Sequence, residues 1–440
     1  MKTMITAKLK LHMTPAQFNA LRATQLAYRD ALNYVSHYAF AHGKISNAVA
    51  LQTGTYDEVR ARFHLSSQMA CSVPRQVGAT YKALWSKVKQ NAAARQAGHT
   101  KKRYKGLDQA PKFVSPTLTY QYKKDYSFKK EQSVSILSLS GRVVVPYTGY
   151  DKHVALIQHG AEIGAAKLWY DKPKKRFSLL VTLEIDVADP TPQMHTGIVG
   201  VDVGLRYLAV TSTTKGACTF HSGKQVRTKA NHYARVIKRL QKKGTRSATR
   251  RLVALSGRER RLKMDANHVV SQRIVREHPN SMIGLENLTD IREHSKRRKG
   301  KRASTKQRKA NAAYSKWSFA QLHALIAYKA LMHKSMAIKV DANYTSQACP
   351  CCGHTGKENR PHKGLLFLCQ NCHYTRHADL VGARNLALRT LLSRQDWERT
   401  GHLSIAPDVS NVEAKAARLA RYAELRWSSG TSPVSLKRGH

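Results

Sequence analysis

Two pairs of cysteines constrain the folding of this chain more than any other feature of the sequence. Cys349 and Cys352 have two residues between them, as do Cys369 and Cys372, and 16 residues separate the pairs. This spacing allows both thiolates of a pair to reach one tetrahedral ion at about 2.3 Å. Four thiolates leave no position for water, so the pattern predicts a structural zinc ribbon. Cys351 is expected to be a spare thiol.

The remaining cysteines and the nearby histidines are consistent with a metal site. Cys71 and Cys218 are isolated, so the seven cysteines form an odd, clustered set that indicates metal binding in a reducing compartment. Four histidines near the cluster could also serve as ligands, although their basic surroundings favour surface positions. They are His354, His362, His373 and His377.

The charge of the chain indicates a polyanionic partner. Its 440 residues include 76 Lys and Arg against 27 Asp and Glu, which gives a formal net charge of +49. Such an imbalance favours nucleic acid. A single basic amphipathic helix on a membrane is the competing explanation, but the positive charge runs from Lys2 to Arg438. The sequence has neither an apolar signal segment nor a spanning segment, so we expect a soluble, intracellular protein without a membrane partner.

Hydrophobic periodicity divides the chain into several parts. Alternation from Ile5 to Leu11 predicts a strand, and Thr14-Pro15 predicts the start of a helical region that ends near residue 105. Period-two segments predict β-hairpins from about 110 to 190, before a Pro-rich boundary at 189–192. Alternating strands and helices after 195 predict an α/β domain.

Three carboxylates are placed where metal-dependent chemistry would need them. Asp202 lies in the apolar run 198–203, Glu286 ends a short strand, and Asp379 begins a helix. An unpaired carboxylate in an apolar run is costly, and a divalent ion removes that cost. Simpler explanations are an N-cap role for Asp379 and an arginine partner for Asp202. The set would suit a site with two Mg²⁺ ions that hydrolyses phosphodiester bonds.

Several short motifs, in this order, resemble the transposon-encoded TnpB family, which is related to the compact type V CRISPR effectors. The motifs are Gly200-Val201-Asp202-Val203-Gly204, Gly284-Leu285-Glu286-Asn287-Leu288, Tyr344-Thr345-Ser346-Gln347 and Ala383-Arg384-Asn385-Leu386. The resemblance implies an RNA-guided DNA endonuclease with Asp202, Glu286 and Asp379 as the catalytic magnesium ligands. It also implies a guide RNA and a target double-stranded DNA with an adjacent motif as partners, and leaves the oligomeric state open. The location that it implies is cytoplasmic, in a prokaryote, and associated with the nucleoid.

The resemblance further implies a multidomain α+β fold with a ribonuclease-H-like (RuvC) core and an inserted zinc ribbon. The expected parts are a β-barrel-like wedge (1–13 and 106–195), a helical recognition lobe (14–105), the RuvC nuclease (196–344 and 376–395), the ribbon (345–375) and a largely disordered tail (396–440). Within this scheme, residues 296–299 belong to a basic loop near the active site.

Two departures from the family pattern qualify these expectations. Val381 stands where family members usually carry Asn, and His373 stands where Gly is common. Val381 favours, weakly, an RNA-guided repressor with little or no cleavage, whereas the intact acid triad favours a nuclease. A compact type V CRISPR effector would also fit this sequence, as would a regulator of transposition that binds DNA without RNA.

Overall fold

The computed structural model describes residues 2–115, 117–288, 317–361, 365–403 and 412–427. The chain divides into two compact units, Met1–Asp186 and Val187–His440, close to the predicted Pro-rich boundary. Residues 296–299, predicted to lie in a basic loop, are outside the described residues, as is the end of the tail from 428. No helix in the described ranges is both long and apolar enough to cross a lipid bilayer.

The first unit combines four helices with one sheet. Its helices are α1 (Pro15–Ala41), α2 (Ala48–Phe63), α3 (Ser67–Gln96) and α4 (Asp151–His159). The helical region begins as predicted, because Thr14 and Gln17 form a reciprocal capping box at the start of α1. In the box, the Gln17 amide donates to Thr14 Oγ1 at 3.3 Å, and the Thr14 amide donates to Gln17 Oε1 at 2.9 Å.

The sheet of the first unit has seven strands in the order β2-β6-β7-β1-β5-β4-β3. The strands are β1 (Lys2–Leu11), β2 (Leu118–Tyr120), β3 (Tyr126–Lys129), β4 (Ser133–Ser138), β5 (Gly141–Thr148), β6 (Glu162–Asp171) and β7 (Arg176–Asp186). Edge strands β2 and β3 are adjacent in sequence, so the sheet must curl to bring its two edges together. The Tyr126 hydroxyl of β3 accordingly donates to the Gly164 carbonyl of β6 at 2.6 Å.

The second unit contains a five-stranded sheet in the order β10-β9-β8-β11-β12. Its strands are β8 (Gly197–Asp202), β9 (Tyr207–Thr213), β10 (Cys218–Ser222), β11 (Ser281–Glu286) and β12 (Met336–Val340). The first three form an antiparallel meander, whereas β8, β11 and β12 run parallel. A separate two-stranded ribbon pairs β13 (Leu366–Leu368) with β14 (Thr375–His377).

Within the described ranges of this unit, six helices accompany these strands. They are α5 (Lys224–Lys243), α6 (Arg246–Leu255), α7 (Arg258–Glu277), α8 (Phe319–Met332), α9 (Ala378–Thr400) and α10 (Val412–Glu424). The basic stretch expected from 228 to 277 is three helices, because Gly244 and Gly257 adopt left-handed backbone conformations that interrupt it.

Helices cover both faces of the five-stranded sheet. On one face, Ile274 of α7 and Leu322 of α8 pack with strand residues, and on the other face Leu386 and Trp397 of α9 do so. A sheet covered on both faces needs strands that are apolar on both sides, which explains the near-continuous apolar run of β8.

A pair of glycines allows α9 to lie directly on the sheet. Gly200 of β8 and Gly284 of β11 are partners in the parallel register. A Cβ on Gly200 would come within 3.0 Å of backbone atoms of Ala383 and Ala387, and a Cβ on Gly284 would meet the Thr390 hydroxyl. The bare glycine backbone therefore determines how closely α9 approaches, and with it the position of Asp379.

The prediction of a largely disordered tail from residue 396 was wrong for the described part. Helix α9 continues to Thr400, and residues 412–424 form the further helix α10. Trp427, just beyond α10, is 5% exposed and packs with Ala387 and Leu388 of α9. The burial of this aromatic ring explains why the segment is ordered despite its weak sequence pattern.

Candidate metal centres

Asp202 and Glu286 are placed side by side by the parallel pairing of two strands. Asp202 ends β8 and Glu286 ends β11, each one residue beyond the paired residues Val201 and Leu285. Because the carboxyl ends of parallel strands share one edge of a sheet, the two acids meet there. Both are partly exposed to solvent, in contrast to the buried apolar residues that precede them.

Asp379 reaches the same edge from the first turn of α9. In that turn, a Cβ on Gly382 would lie 3.2 Å from the Asp202 carboxyl carbon, so the helix is in van der Waals contact with Asp202. The Asp379 amide donates to Nδ1 of the N-cap residue His377 at 3.2 Å. The Asp379 side chain is partly exposed and is therefore accessible from the solvent.

The charges of the three acids destabilise one another. Desolvation by the surrounding protein, followed by the charges of Glu286 and Asp379, raises the pKa of Asp202 well above its ordinary value. Desolvation also raises the pKa of Glu286 to about 7. Carboxylates held this close repel one another, and a bound cation would relieve that repulsion.

The three acids offer oxygen ligands at this edge of the sheet, but they are less tightly grouped than the cysteines. Among the described residues, only the four cysteines form a group of three or more ligands whose atoms all lie within 4.8 Å of one another. Oxygen donors of this kind suit a hard divalent ion such as Mg²⁺.

The four predicted cysteines form the second centre. Cys349 Sγ lies 3.6 Å from Cys372 Sγ, and Cys352 Sγ lies 3.4 Å from Cys369 Sγ. Thiolates about 2.3 Å from one tetrahedral ion would be about 3.8 Å apart, so the cluster fits a zinc ribbon. Each knuckle turns through a left-handed residue, Gly353 in the first and His373 in the second.

The neighbouring histidines do not join this cluster in the described residues. His377 caps α9, and the His354 carbonyl accepts a hydrogen bond from the Cys349 amide at 2.9 Å. His362 lies outside the described residues. Cys351 is half-buried and is not one of the four clustered thiols, as expected for a spare.

Val381 contacts the ribbon side of α9. It is fully buried, in a cluster with Cys349, Cys369 and Phe367. An apolar residue at this position therefore joins the helix that carries Asp379 to the cysteine cluster. The effect of Val381 on cleavage stays a prediction.

Two buried arginines of α9 were given no role in the sequence-based predictions. Arg384 and Arg389 of α9 are each 3% exposed. Arg389 donates to the carbonyls of Asp341 and Asn343. Burial raises the pKa of Glu286, and the Arg389 charge opposes that rise. Arg384 lies in one of the family motifs and Arg389 lies at helical spacing from apolar residues, but in so basic a chain neither arginine stood out.

The zinc assignment predicts a difference between two neighbouring cysteines. We expect Cys352→Ser to lose most of the metal, because a tetrahedral site with three thiolates binds zinc more weakly, and Cys351→Ser to retain about one zinc per chain. Atomic emission of the purified variants measures this directly. Equal zinc content in the two variants would refute the assignment.

Taken together, the fold and the two centres define a multidomain α+β protein that combines an acid-edged α/β sheet with a four-cysteine cluster. Two family models match the chain. The model OrfB_IS605, described as "Probable transposase", matches residues 180–290, and the model "Cas12f1-like, TNB domain" matches residues 319–386.

Two proteins with similar sequences are named as endonucleases that act on DNA. A candidate RNA-guided DNA endonuclease, InsQ of Escherichia coli (strain K12), is 25% identical over 59% of this chain and 65% of its own. The CRISPR-associated endodeoxyribonuclease Cas12f1 of Sulfoacidibacillus thermotolerans is 33% identical over 24% of this chain and 21% of its own. The matches thus span less than two thirds of either relative. They confirm the predicted resemblance: the chain is a relative of the TnpB family and of the type V CRISPR effectors.

The two solved structures that follow match this chain at lower sequence identity. A Cas12f1-sgRNA-target DNA complex is 16% identical with a TM-score of 0.35, covering 88% of this chain and 99% of that one. CasPhi-2 (Cas12j) bound to crRNA is 11% identical with a TM-score of 0.43, covering 89% and 98%.

Proposed function

We propose that this protein is an RNA-guided DNA endonuclease whose RuvC-type site consists of Asp202, Glu286 and Asp379. The observation that carries the proposal is the convergence of these acids from two adjacent strand ends and one helix. The strand order, an antiparallel meander followed by two parallel strands, supports a ribonuclease-H-like core. Since a fold alone does not establish a function, the acids carry more weight than the strand order.

The chemistry follows from how the acids are held. Mg²⁺ ions, when bound, would activate a water and stabilise the leaving oxygen of a phosphodiester. Asp202 and Glu286 offer oxygens from rigid strand ends, and Asp379 offers a third from the start of α9. Their mutual repulsion favours cation binding, and the bound charge would then attract the phosphate that bare acids repel.

Basic surfaces of the second unit support nucleic-acid partners. Helices α5 and α6 carry exposed positive side chains along their length, and no acid lies in either helix. Six of these residues are Lys238, Arg239, Lys242, Lys243, Arg250 and Arg251. Such a surface suits phosphate backbones without regard to sequence.

The proposed partners are a guide RNA and a target double-stranded DNA with an adjacent motif. Base pairing would supply most sequence information, while the protein would hold backbone and shape. In this scheme the curled sheet of the first unit is the wedge, α1–α3 form the recognition lobe, and the ribbon contacts target nucleic acid. A nucleoid-associated location in a prokaryotic cytoplasm belongs to the same proposal.

The origin of the RNA bound to the purified protein distinguishes the two kinds of RNA-guided nuclease that fit the sequence. We expect the purified protein to carry one defined small RNA and to cut a matching plasmid only with Mg²⁺. An RNA derived from a transposon end would indicate a TnpB-type nuclease, and a repeat-derived RNA a compact type V effector. Sequencing the bound RNA, followed by plasmid cleavage with and without Mg²⁺, tests this. Absence of bound RNA, or binding without cleavage, would contradict the proposal.

A further inference from the structure

The segment 412–427, which comprises α10 and the three residues after it, contacts the elements that support both metal centres. The contacts involve α9, the end of β12 and the first cysteine knuckle, all within the second unit. We call this segment the brace.

Two stacked cations join the brace to α9. The Arg389 guanidinium lies 4.2 Å from the ring centroid of Tyr422, and the Arg384 guanidinium lies 5.0 Å from that of Trp427. Both arginines are almost fully buried. Cation–π contacts are strongest when the cation is removed from water, so these two rings stabilise buried charges that would otherwise be costly.

One of these arginines also contacts the end of β12, next to the acid edge. Arg389 donates two hydrogen bonds to carbonyls that follow β12, those of Asp341 and Asn343. The residue before Asp341 is Val340, which is the sheet partner of Glu286. Tyr422 thus packs on a cation that is bound to the strand beside one of the three acids. The geometry gives the brace a route to the acid site through one side chain.

Ion pairs add a second connection. Arg421 of the brace makes two hydrogen bonds to the Asp396 carboxylate of α9, at 2.9 and 2.8 Å. Arg418 lies 3.5 Å from the carboxylate of Asp341, whose side chain is 1% exposed. A bidentate arginine–carboxylate pair fixes relative orientation as well as distance.

The brace also contacts the ribbon. The Trp427 amide donates to the Pro350 carbonyl, between Cys349 and Cys351, at 2.7 Å. A Cβ on Gly353 would collide with the Ala423 carbonyl of the brace, so this knuckle residue is in close contact with α10. The first knuckle and α9 are therefore held by the same short segment.

We propose that the brace is a positioning element of the nuclease, which holds α9 and the first cysteine knuckle in one arrangement around the acid site. The inference rests on the proposed function for its activity readout. The brace acts on the reacting groups indirectly, through residues that it holds in place. Tyr422 acts through Arg389, and Trp427 acts through Arg384 and Pro350.

Single substitutions in the aromatic rings test the positioning role. We expect Tyr422→Ala to lower the single-turnover cleavage rate at saturating target DNA about tenfold, with unchanged guide RNA and target binding. Tyr422→Phe keeps the ring over Arg389 and should restore most of the rate. A loss confined to binding, or an equal loss in both variants, would overturn the proposal.

A charge exchange on the exposed ion pair covers the case in which ring removal unfolds the protein. We expect Asp396→Arg and Arg421→Asp each to reduce the rate, and the double exchange to recover it, since the pair is re-formed with opposite polarity. Additive losses in the double variant would show that α10 does not dock on α9 as described.

Hydrogen–deuterium exchange supplies a readout that does not depend on cleavage. Amides of 349–353 and of 384–397 should exchange faster in Trp427→Ala than in the wild type, while those of β1 and β7 stay unchanged. If the wild type does not cleave, the proposed function fails and exchange still decides whether the brace holds the two elements. Unchanged exchange in both segments would overturn the inference.

Discussion

Replacing Asp202 with Asn should lower cleavage of guide-matched DNA at least about a thousandfold, because the amide is a neutral and poorer ligand for a hard cation. The protein itself should remain folded. The pKa of Asp202 is raised by desolvation and by two neighbouring acids, so a neutral side chain of the same shape relieves repulsion in the metal-free protein. Guide RNA binding should persist, since Asp202 lies at the sheet edge and not on the basic helices.

The measurement is single-turnover cleavage by RNA-loaded protein in excess Mg²⁺. Asp265→Asn provides a matched control, because Asp265 is an exposed acid of α7, a helix that carries none of the three clustered acids. That variant should cut at the wild-type rate. Cleavage by Asp202→Asn within tenfold of the control would remove Asp202 from the site.

Replacing Gly200 with Val should destabilise the second unit by at least about 3 kcal/mol. A side chain at this position meets the backbone of α9 at Ala383 and Ala387, and helix backbone cannot rotate away as a side-chain tip can. Helix α9 must therefore shift off the sheet, and Asp379 must move with it. Chemical denaturation of the variant should show the loss in the transition of the second unit.

Two comparisons distinguish this mechanism from a general intolerance of side chains at strand glycines. Gly164→Ala in β6 should be nearly neutral, since its Cβ would meet the Thr182 carbonyl at an ordinary 3.5 Å. Gly284→Ala meets mainly the Thr390 hydroxyl, so Thr390→Ala should partly rescue it, whereas no side-chain change should rescue Gly200→Val. A neutral Gly200→Val would mean that α9 does not lie as close as described.

Local sequence patterns were enough to predict the parts of the structure that depend on contacts between residues close together in the sequence. The cysteine spacing predicted a cluster that forms within 24 residues, and the apolar runs predicted β8 and β11 with their terminal acids. The capping box at Thr14 likewise acts within four residues.

The remaining features depend on contacts between distant residues, which a single sequence does not reveal. Gly200 and Gly284 are partners only because β8 and β11 pair in parallel. That they allow α9 to lie close to the sheet is evident only from the position of this helix. Nothing in the sequence indicated that Val381 packs on the cysteines. The stacking of Tyr422 and Trp427 on buried arginines joins the tail to α9, and no local pattern in the tail reveals it.

The catalytic role of the acids stays a prediction until a cation is located among them. The most direct measurement is anomalous diffraction from crystals of the protein soaked in Mn²⁺, which replaces Mg²⁺ at oxygen-rich sites. We expect a manganese peak at the edge shared by β8 and β11, within about 2.4 Å of carboxylate oxygens from Asp202 and Glu286. Manganese bound elsewhere, with no peak beside these two carboxylates, would contradict the assignment of this edge as the nuclease site.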